Sequence, residues 1–223
     1  MNILEIKNLC VSLGGKALLK GINMNVAEGA RHLLSGANGS GKTSMVQAIA
    51  GNPDYKIDAG EIIFDGRDIT ALPTAERARL GIFIGAQHVP EIPGLSLTGF
   101  LKASMMAHYP KLTAGEFFQA LSDARTKLNI PESWLGRSIN VGFSGGERKR
   151  LMFLHMLLLR PRLAILDEID SGVDADSQKL FAKIIKDLNK KGTSFLIISH
   201  QEKFTNMVKN SAVTALSGGE VVV

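Results

Sequence analysis

"GANGSGKT", Gly36–Thr43, is the stretch on which the fold turns. It fits the pattern Gly-x-x-x-x-Gly-Lys-Ser/Thr, and its flanks matter as much as the match. "ARHLLS" (Ala30–Ser35) reads as a strand running straight into the loop, and a helix is predicted from Lys42 to about Ala50. In that context Gly36, Gly39 and Gly41 let the backbone curl so that successive N–H groups point inward at phosphate oxygens. The start of the helix adds its partial positive charge. Lys42 is then placed to reach the β- and γ-phosphates of a nucleotide, and the Thr43 hydroxyl to hold Mg²⁺. Ala37, Asn38, Ser40 and Ser44 complete the expected nucleotide-contacting set. A glycine turn that only started a helix would need neither the lysine nor the threonine.

Outward from the loop lie three continuous apolar runs: "GIFIGA" (Gly81–Ala86), "LAILD" (Leu163–Asp167) and "SFLIIS" (Ser194–Ser199). Strands buried on both faces of a parallel sheet read this way. Each run ends in polar residues: Gln87 after the first, Asp167 and Glu168 at the second, His200 after the third. In a parallel α/β sheet these C-terminal strand ends open on the same edge as the phosphate loop. Asp167 offers a hard oxygen for Mg²⁺ or its water. Glu168 is expected to act as general base on a water at the γ-phosphate. Gln87 would complete the metal shell or orient that water, and His200 would hydrogen-bond the γ-phosphate. His32, His88, His108 and His155 show no metal-ligand spacing and read as structural.

The remaining chain frames this centre. "NILEI", "LCVSL" and "INMNV" predict short antiparallel strands, and Asp65-Gly66 in "EIIFDGRDI" predicts a hairpin turn. Residues 90–140 carry helical patterns instead, "SLTGFLKASMMAH" and "TAGEFFQALSDARTKLNI", the second opening on Thr113 and Glu116 at capping-box spacing. Met105, Met106, Phe117 and Phe118 are expected to pack the core of this small helical subdomain. Residues 1–89 and 141–223 then form the nucleotide-binding core, within one overall domain of α/β class with an antiparallel β region.

Composition narrows the partners. The 223 residues are 45% apolar and 21% charged, with net charge +5. Basic residues cluster only at Arg148–Arg150 and Lys190–Lys191, so nucleic acid is not the expected partner. Cys10 is the single cysteine, which rules out an internal disulfide and fits a reducing cytoplasm. One thiol also cannot supply the four ligands an iron–sulfur cluster normally takes. The N-terminus lacks a signal-peptide pattern. The longest apolar run, Leu151–Leu159, is far shorter than a bilayer span of roughly 20 residues.

"SGGE" occurs twice, at Ser144–Glu147 and at Ser217–Glu220. After Glu147 comes "RKRLMFLHMLLL", a helix-compatible run, so Ser144 and Glu147 read as a capping box. Ser144, Gly145, Gly146 and Glu147 would then present backbone N–H groups and a helix N-terminus to a second anion. The first phosphate loop already holds its own nucleotide, so this second site calls for one bound elsewhere, as on a second copy of the chain. After Glu220 there are only three valines, so the second copy reads as a Gly-Gly turn between two strands. Substituting Gly218 or Gly219 is expected to lower stability at most.

The phosphate loop, Gln87, "FSGGERKR", "LAILDE" and His200, in this order, resemble an ABC-type ATPase across essentially the whole chain. "SGGE" at Ser144 matches that family's signature and "SGVD" (Ser171–Asp174) its D-loop. The resemblance implies a head-to-tail, ATP-dependent homodimer with two Mg-ATP molecules, each between one copy's phosphate loop and the other's signature helix. "DEIDSGVD", "EIPG" (Glu91–Gly94) and "GIFIGAQ" are similar to the SufC group, soluble ATPases of iron–sulfur cluster assembly. That likeness implies a SufB- or SufD-like scaffold as partner, worked by ATP-driven closure. The other uses of such a chain are the cytosolic ATP-binding subunit of a membrane ABC transporter and a nucleotide-dependent switch. Leu13 departs from the family, lying where an aromatic residue commonly stacks on adenine.

Overall fold

The computed structural model describes residues 1–86 and 90–222. The chain opens with β1 (Asn2–Leu13) and β2 (Lys16–Ala27), and β3 (Arg31–Gly36) leads into the loop before α1 (Lys42–Ala50). Next come β4 (Tyr55–Phe64) and β5 (Arg67–Asp68), and the first sheet runs β2-β1-β4-β5, antiparallel throughout. Asp65 and Gly66 make the predicted β4–β5 turn, both with positive φ (51° and 75°), as such hairpins require. The three short strands expected at the N-terminus are instead two strands of 12 residues. "NILEI" and "LCVSL" are continuous because Asn8, at φ 47°, forms a bulge where the register shifts between Ile6 and Leu9. The chain bends there without leaving the sheet.

The second sheet is built from β6 (Ile82–Gly85), β9 (Leu163–Asp167), β10 (Ser194–Ile198), β11 (Ala212–Ser217) and β12 (Glu220–Val222), together with β3. Its order is β12-β11-β3-β10-β9-β6, parallel except for β12 at the edge. Every residue of β9 and β10 is buried. The pleat sends Ala164, Leu166, Phe195 and Ile197 to one face and Leu163, Ile165, Leu196 and Ile198 to the other. The first face meets the helices; the second meets α1 and the antiparallel sheet. Two cores on either side of one sheet are why these strands show no alternation of apolar and polar residues.

Between β6 and β9 the chain forms β7 (Ile92–Ser96), α3 (Leu97–His108), α4 (Ala114–Lys127), β8 (Ser138–Ile139) and α5 (Gly145–Leu159). β7 pairs antiparallel with β8, a strand pair the helical pattern of this segment did not suggest. Thr113 and Glu116 close the predicted capping box. Met105 and Phe117 are buried as expected, but Met106 and Phe118 are exposed at 48% and 55%. On a helix, neighbouring residues lie 100° apart, so where only one side of a helix is covered, as on α3 and α4 here, an adjacent apolar pair is split between core and solvent. Beyond β9, α6 (Ala175–Asn189) packs Phe181 on Phe153 of α5, ring centroids 4.1 Å apart. α2 (Thr74–Arg79) and α7 (Glu202–Val208) are short connections. Among the described residues no helix is long and apolar enough to cross a membrane.

Candidate active site

β3 lies inside the sheet between β11 and β10, and the C-terminal ends of its parallel strands form the edge at which ligands of open α/β sheets bind. The loop from Gly36 to Gly41 leaves it there and enters α1. No side chain caps α1, and no acidic residue lies in its first turn. Its leading N–H groups therefore keep their capacity for an anion. Gly36 is required by crowding: a Cβ there would lie 2.3 Å from the Leu216 carbonyl oxygen. Ala37, Asn38 and Gly39 are exposed, Thr43 is exposed and Ser44 half-buried. Ser40 is buried, and its Oγ has no partner among the described residues. Lys42 is 6% exposed, and its Nζ donates to the Gly36 and Ala37 carbonyls at 2.8 and 2.9 Å. The ammonium is thus held across the loop, over the space that phosphates would fill.

Asp167 ends β9, directly beside β10, and is buried. Burial pushes its carboxyl above the ordinary aspartate range and the Glu168 charge adds to this, while Lys42 and a hydrogen bond with Thr43 oppose it. Asp167, Thr43 and Lys42 are therefore gathered at one point. A hydroxyl and a carboxylate are hard oxygen donors of the kind magnesium prefers. No group of three or more His, Cys, Asp or Glu side chains suited to a metal occurs among the described residues. Phosphate oxygens and water would thus have to complete the shell, as is usual for this ion. Gln87 lies outside the described residues, as does His88.

Glu168 comes next with a left-handed backbone, φ 50°, and its N–H donates to the Ile198 carbonyl at 3.0 Å. Its carboxylate stands 3.5 Å from His200 Nε2, so the expected base and the expected γ-phosphate contact are neighbours. Lys149, on α5, donates from Nζ to the Glu168 carbonyl at 3.0 Å and also to that of Ser171. The spacing pattern gave no hint of this lysine, because its target is a main-chain oxygen 19 residues away. Gln178 was likewise missed. Its Nε2 donates to the Asp170 and Val173 carbonyls and, at 2.9 Å, to Gln201 Oε1. Gln201 Nε2 in turn donates to the Asp170 carbonyl at 3.1 Å. The stretch Ser171–Asp174 is thereby tied to the segment carrying His200. Asp170, buried beside them, accepts from Ser199 Oγ at 2.7 Å and is pushed upward in pKa chiefly by burial.

Ser144 and Glu147 form the predicted capping box on α5: the Ser144 N–H donates to Glu147 Oε2 at 2.7 Å and the Glu147 N–H to Ser144 Oγ at 3.3 Å. The backbone hydrogen bond from Ser144 holds the Glu147 carboxyl below its usual range. Ser144 and Gly145 are exposed. α5 packs on α3, α4 and α6, and among the described residues no hydrogen bond joins Ser144–Glu147 to residues 36–43. Leu13, at the end of β1, is 39% exposed.

A phosphate loop at the crest of a central parallel sheet, an acid pair at the next strand but one, and an antiparallel sheet alongside define a P-loop ATPase. The ABC transporter family model matches residues 19–171, and the chain belongs to that family. It is 39% identical to a probable ABC transporter ATP-binding protein of Streptococcus pyogenes serotype M3, over 100% of this chain and 88% of that protein. It is also 39% identical to the probable ATP-dependent transporter ycf16 of Pyropia yezoensis, over 99% of this chain and 90% of that protein. The probable ATP-dependent transporter slr0075 of Synechocystis is 38% identical, with 99% and 88% covered. Among solved structures, an ATP-binding subunit of an ABC transporter superposes with TM-score 0.87 at 23% identity, covering 99% of this chain and 88% of that one. A dimeric ATP-binding cassette in a post-hydrolysis state, bound to ADP and Pi, superposes with TM-score 0.85 at 21% identity, with 99% and 97% covered.

Proposed function

We propose that this ATPase works as a head-to-tail dimer that closes on two Mg-ATP molecules and moves a SufB- or SufD-like iron–sulfur scaffold. Residues 36–44 of one copy would hold the triphosphate, with Thr43, Asp167 and Gln87 around the magnesium ion. Ser144, Gly145 and Gly146 of the other copy would meet the γ-phosphate through their N–H groups, with Glu147 fixing the cap. Glu168 would take the proton of the attacking water, and His200 would hydrogen-bond the γ-phosphate. A magnesium ion bound there would neutralise charge developing on the phosphates.

One observation carries the partner. Glu91, at the start of "EIPG", forms an ion pair with Arg148, on the first turn of the signature helix. The adjoining β7 exposes Ile92 and Leu95 at 39% and 37%. The Ser138 hydroxyl accepts from the Gly94 N–H at 3.1 Å, and Asn140 Nδ2 donates to the Pro90 carbonyl at 2.8 Å. A preformed apolar edge is in this way joined to the helix that would close on ATP. A partner seated on that edge would feel the closure, and differential binding to the two states is what lets ATP do work on it.

The test is co-purification with SufB- and SufD-like proteins, then ATPase assay with and without them. A stable complex with altered turnover supports the reading. Capture of a membrane subunit instead, with no effect of the scaffold, would replace it by the transporter reading.

A further inference from the structure

The second "SGGE", the copy without a helix, lies against the phosphate loop. β11 runs parallel to β3 with Leu216 opposite Gly36, and the turn that ends it reaches residues 40–41. The Gly219 N–H donates to the Ser40 carbonyl at 3.0 Å, and the Gly219 carbonyl accepts from the Lys20 N–H at 2.8 Å. A single residue therefore bridges β2 and the loop. No side chain fits there. Gly219 is buried at φ +84°, and a Cβ on it would sit 2.2 Å from the Leu18 carbonyl oxygen, which is backbone. The loop side is equally tight: a Cβ on Gly41 would meet Leu19 Cδ2 at 2.8 Å and the Gly219 Cα at 3.5 Å. Gly218, next to it in the same turn, is exposed and faces open space at φ +57°.

A loop that keeps its N–H groups for an anion leaves its own carbonyls to find other donors. Lys42 supplies two of these, to Gly36 and Ala37, and Gly219 supplies the one to Ser40. We propose that Gly219 is a positioning residue for ATP. It seats the Ser40–Gly41 peptide against β2 and so holds the phosphate-binding N–H groups in their receiving arrangement before nucleotide arrives. A loop with three glycines between Gly36 and Gly41 loses much conformational freedom on binding, and an external fixing contact reduces that cost. The inference rests on residues 36–43 being the phosphate loop.

The test compares Gly219→Ala, Gly218→Ala and Lys42→Ala in the full chain, by titration with ATP and by steady-state turnover. Both glycine variants lose stability, because each forces a side chain into a positive-φ turn. Gly219→Ala should in addition weaken ATP binding about tenfold or more, with KM raised more than kcat is lowered. Gly218→Ala should bind ATP as the parent does. Equal ATP affinities in the two glycine variants overturn the inference. Retained affinity in Lys42→Ala would instead overturn the phosphate-loop assignment itself, a separate result. If Gly219→Ala does not fold, amide exchange in the parent chain decides. Saturating Mg-ATP should slow exchange at residues 18–20 and 216–222 along with residues 37–44. Slowing confined to residues 37–44 would overturn the proposal.

Discussion

Glu91 and Arg148 are 57 residues apart in sequence and form an ion pair between the edge before β7 and the first turn of α5. Arg148 also donates from Nε to the Phe143 carbonyl at 2.9 Å, so its guanidinium is fixed before it meets Glu91. Both side chains are partly exposed, Arg148 at 32% and Glu91 at 45%. Such a pair contributes under about 1 kcal/mol to folding. Its expected value is mechanical. Glu91→Arg should leave the denaturant midpoint nearly unchanged and basal ATP hydrolysis intact, while weakening the scaffold complex and its effect on turnover. Full scaffold affinity and full effect in this variant would remove the edge from the mechanism.

Glu168→Gln keeps the shape of the side chain but cannot take a proton. Turnover should fall by about 10²–10⁴ while ATP still binds. Unhydrolysed Mg-ATP should then hold two copies together, which light scattering reads directly. A monomer at saturating Mg-ATP would contradict the closed dimer.

Ser144→Arg puts a bulky cation on the exposed cap of α5, which among the described residues makes no hydrogen bond to residues 36–43 of its own chain. Nucleotide titration should therefore give near-parental affinity, whereas turnover should collapse. Loss of ATP binding in step with turnover would mean that this helix end acts within one copy.

Asp167 is an acid whose native pKa is raised, mainly by burial. Raised in that direction, the group opposes folding at pH values above its native pKa, where the folded protein must bury a charge, and ceases to do so as pH falls below its unfolded value. Asp167→Asn should therefore stabilise the nucleotide-free protein at neutral pH, by about 1 kcal/mol in urea unfolding, and abolish magnesium-dependent hydrolysis. A destabilised Asp167→Asn would show that the carboxylate is better satisfied than its burial implies.

His155 sits on α5 between Phe83 and Phe100, 2.6 Å from Ser104 Oγ, with its pKa lowered by burial from 6.5 to about 4. The folded ring stays neutral where the unfolded one takes up a proton. Stability from this site is thus complete above pH 6.5 and is lost as pH falls toward 4, by about 3 kcal/mol across the window. His155→Met should flatten that part of the pH–stability curve. An unchanged slope would place the acid sensitivity elsewhere.

Much of the site could be read in the sequence because its parts are local. A strand, a glycine loop and Lys42-Thr43 lie within 14 residues of each other, and the backbone conformations they need are set by those same residues. The capping boxes at Ser144 and Thr113 are equally local, three residues across. Lys149, Gln178 and Gly219 were not legible. Each bonds a main-chain or side-chain atom brought near by the fold, and no residue type marks such a partner in advance. Met106 and Phe118 were misread for a related reason: hydrophobicity says that a residue favours burial, but helix phase decides which one gets it.

By itself, then, the sequence determined the class of the protein. Short continuous apolar runs ending at Asp167 and just before His200 fit strands of a parallel sheet covered on both faces, with these polar residues at its C-terminal edge. Tertiary structure alone decided what surrounds each copy of "SGGE". The first opens α5, which packs on α3, α4 and α6 and leaves Ser144 and Gly145 exposed. The second is pressed onto the loop, because β11 pairs with β3 and delivers Gly219 to Ser40. Identical residues thus end in different surroundings. The helix or strand after each copy is legible along the chain, but the surface each copy faces is fixed only by how the sheet and helices pack.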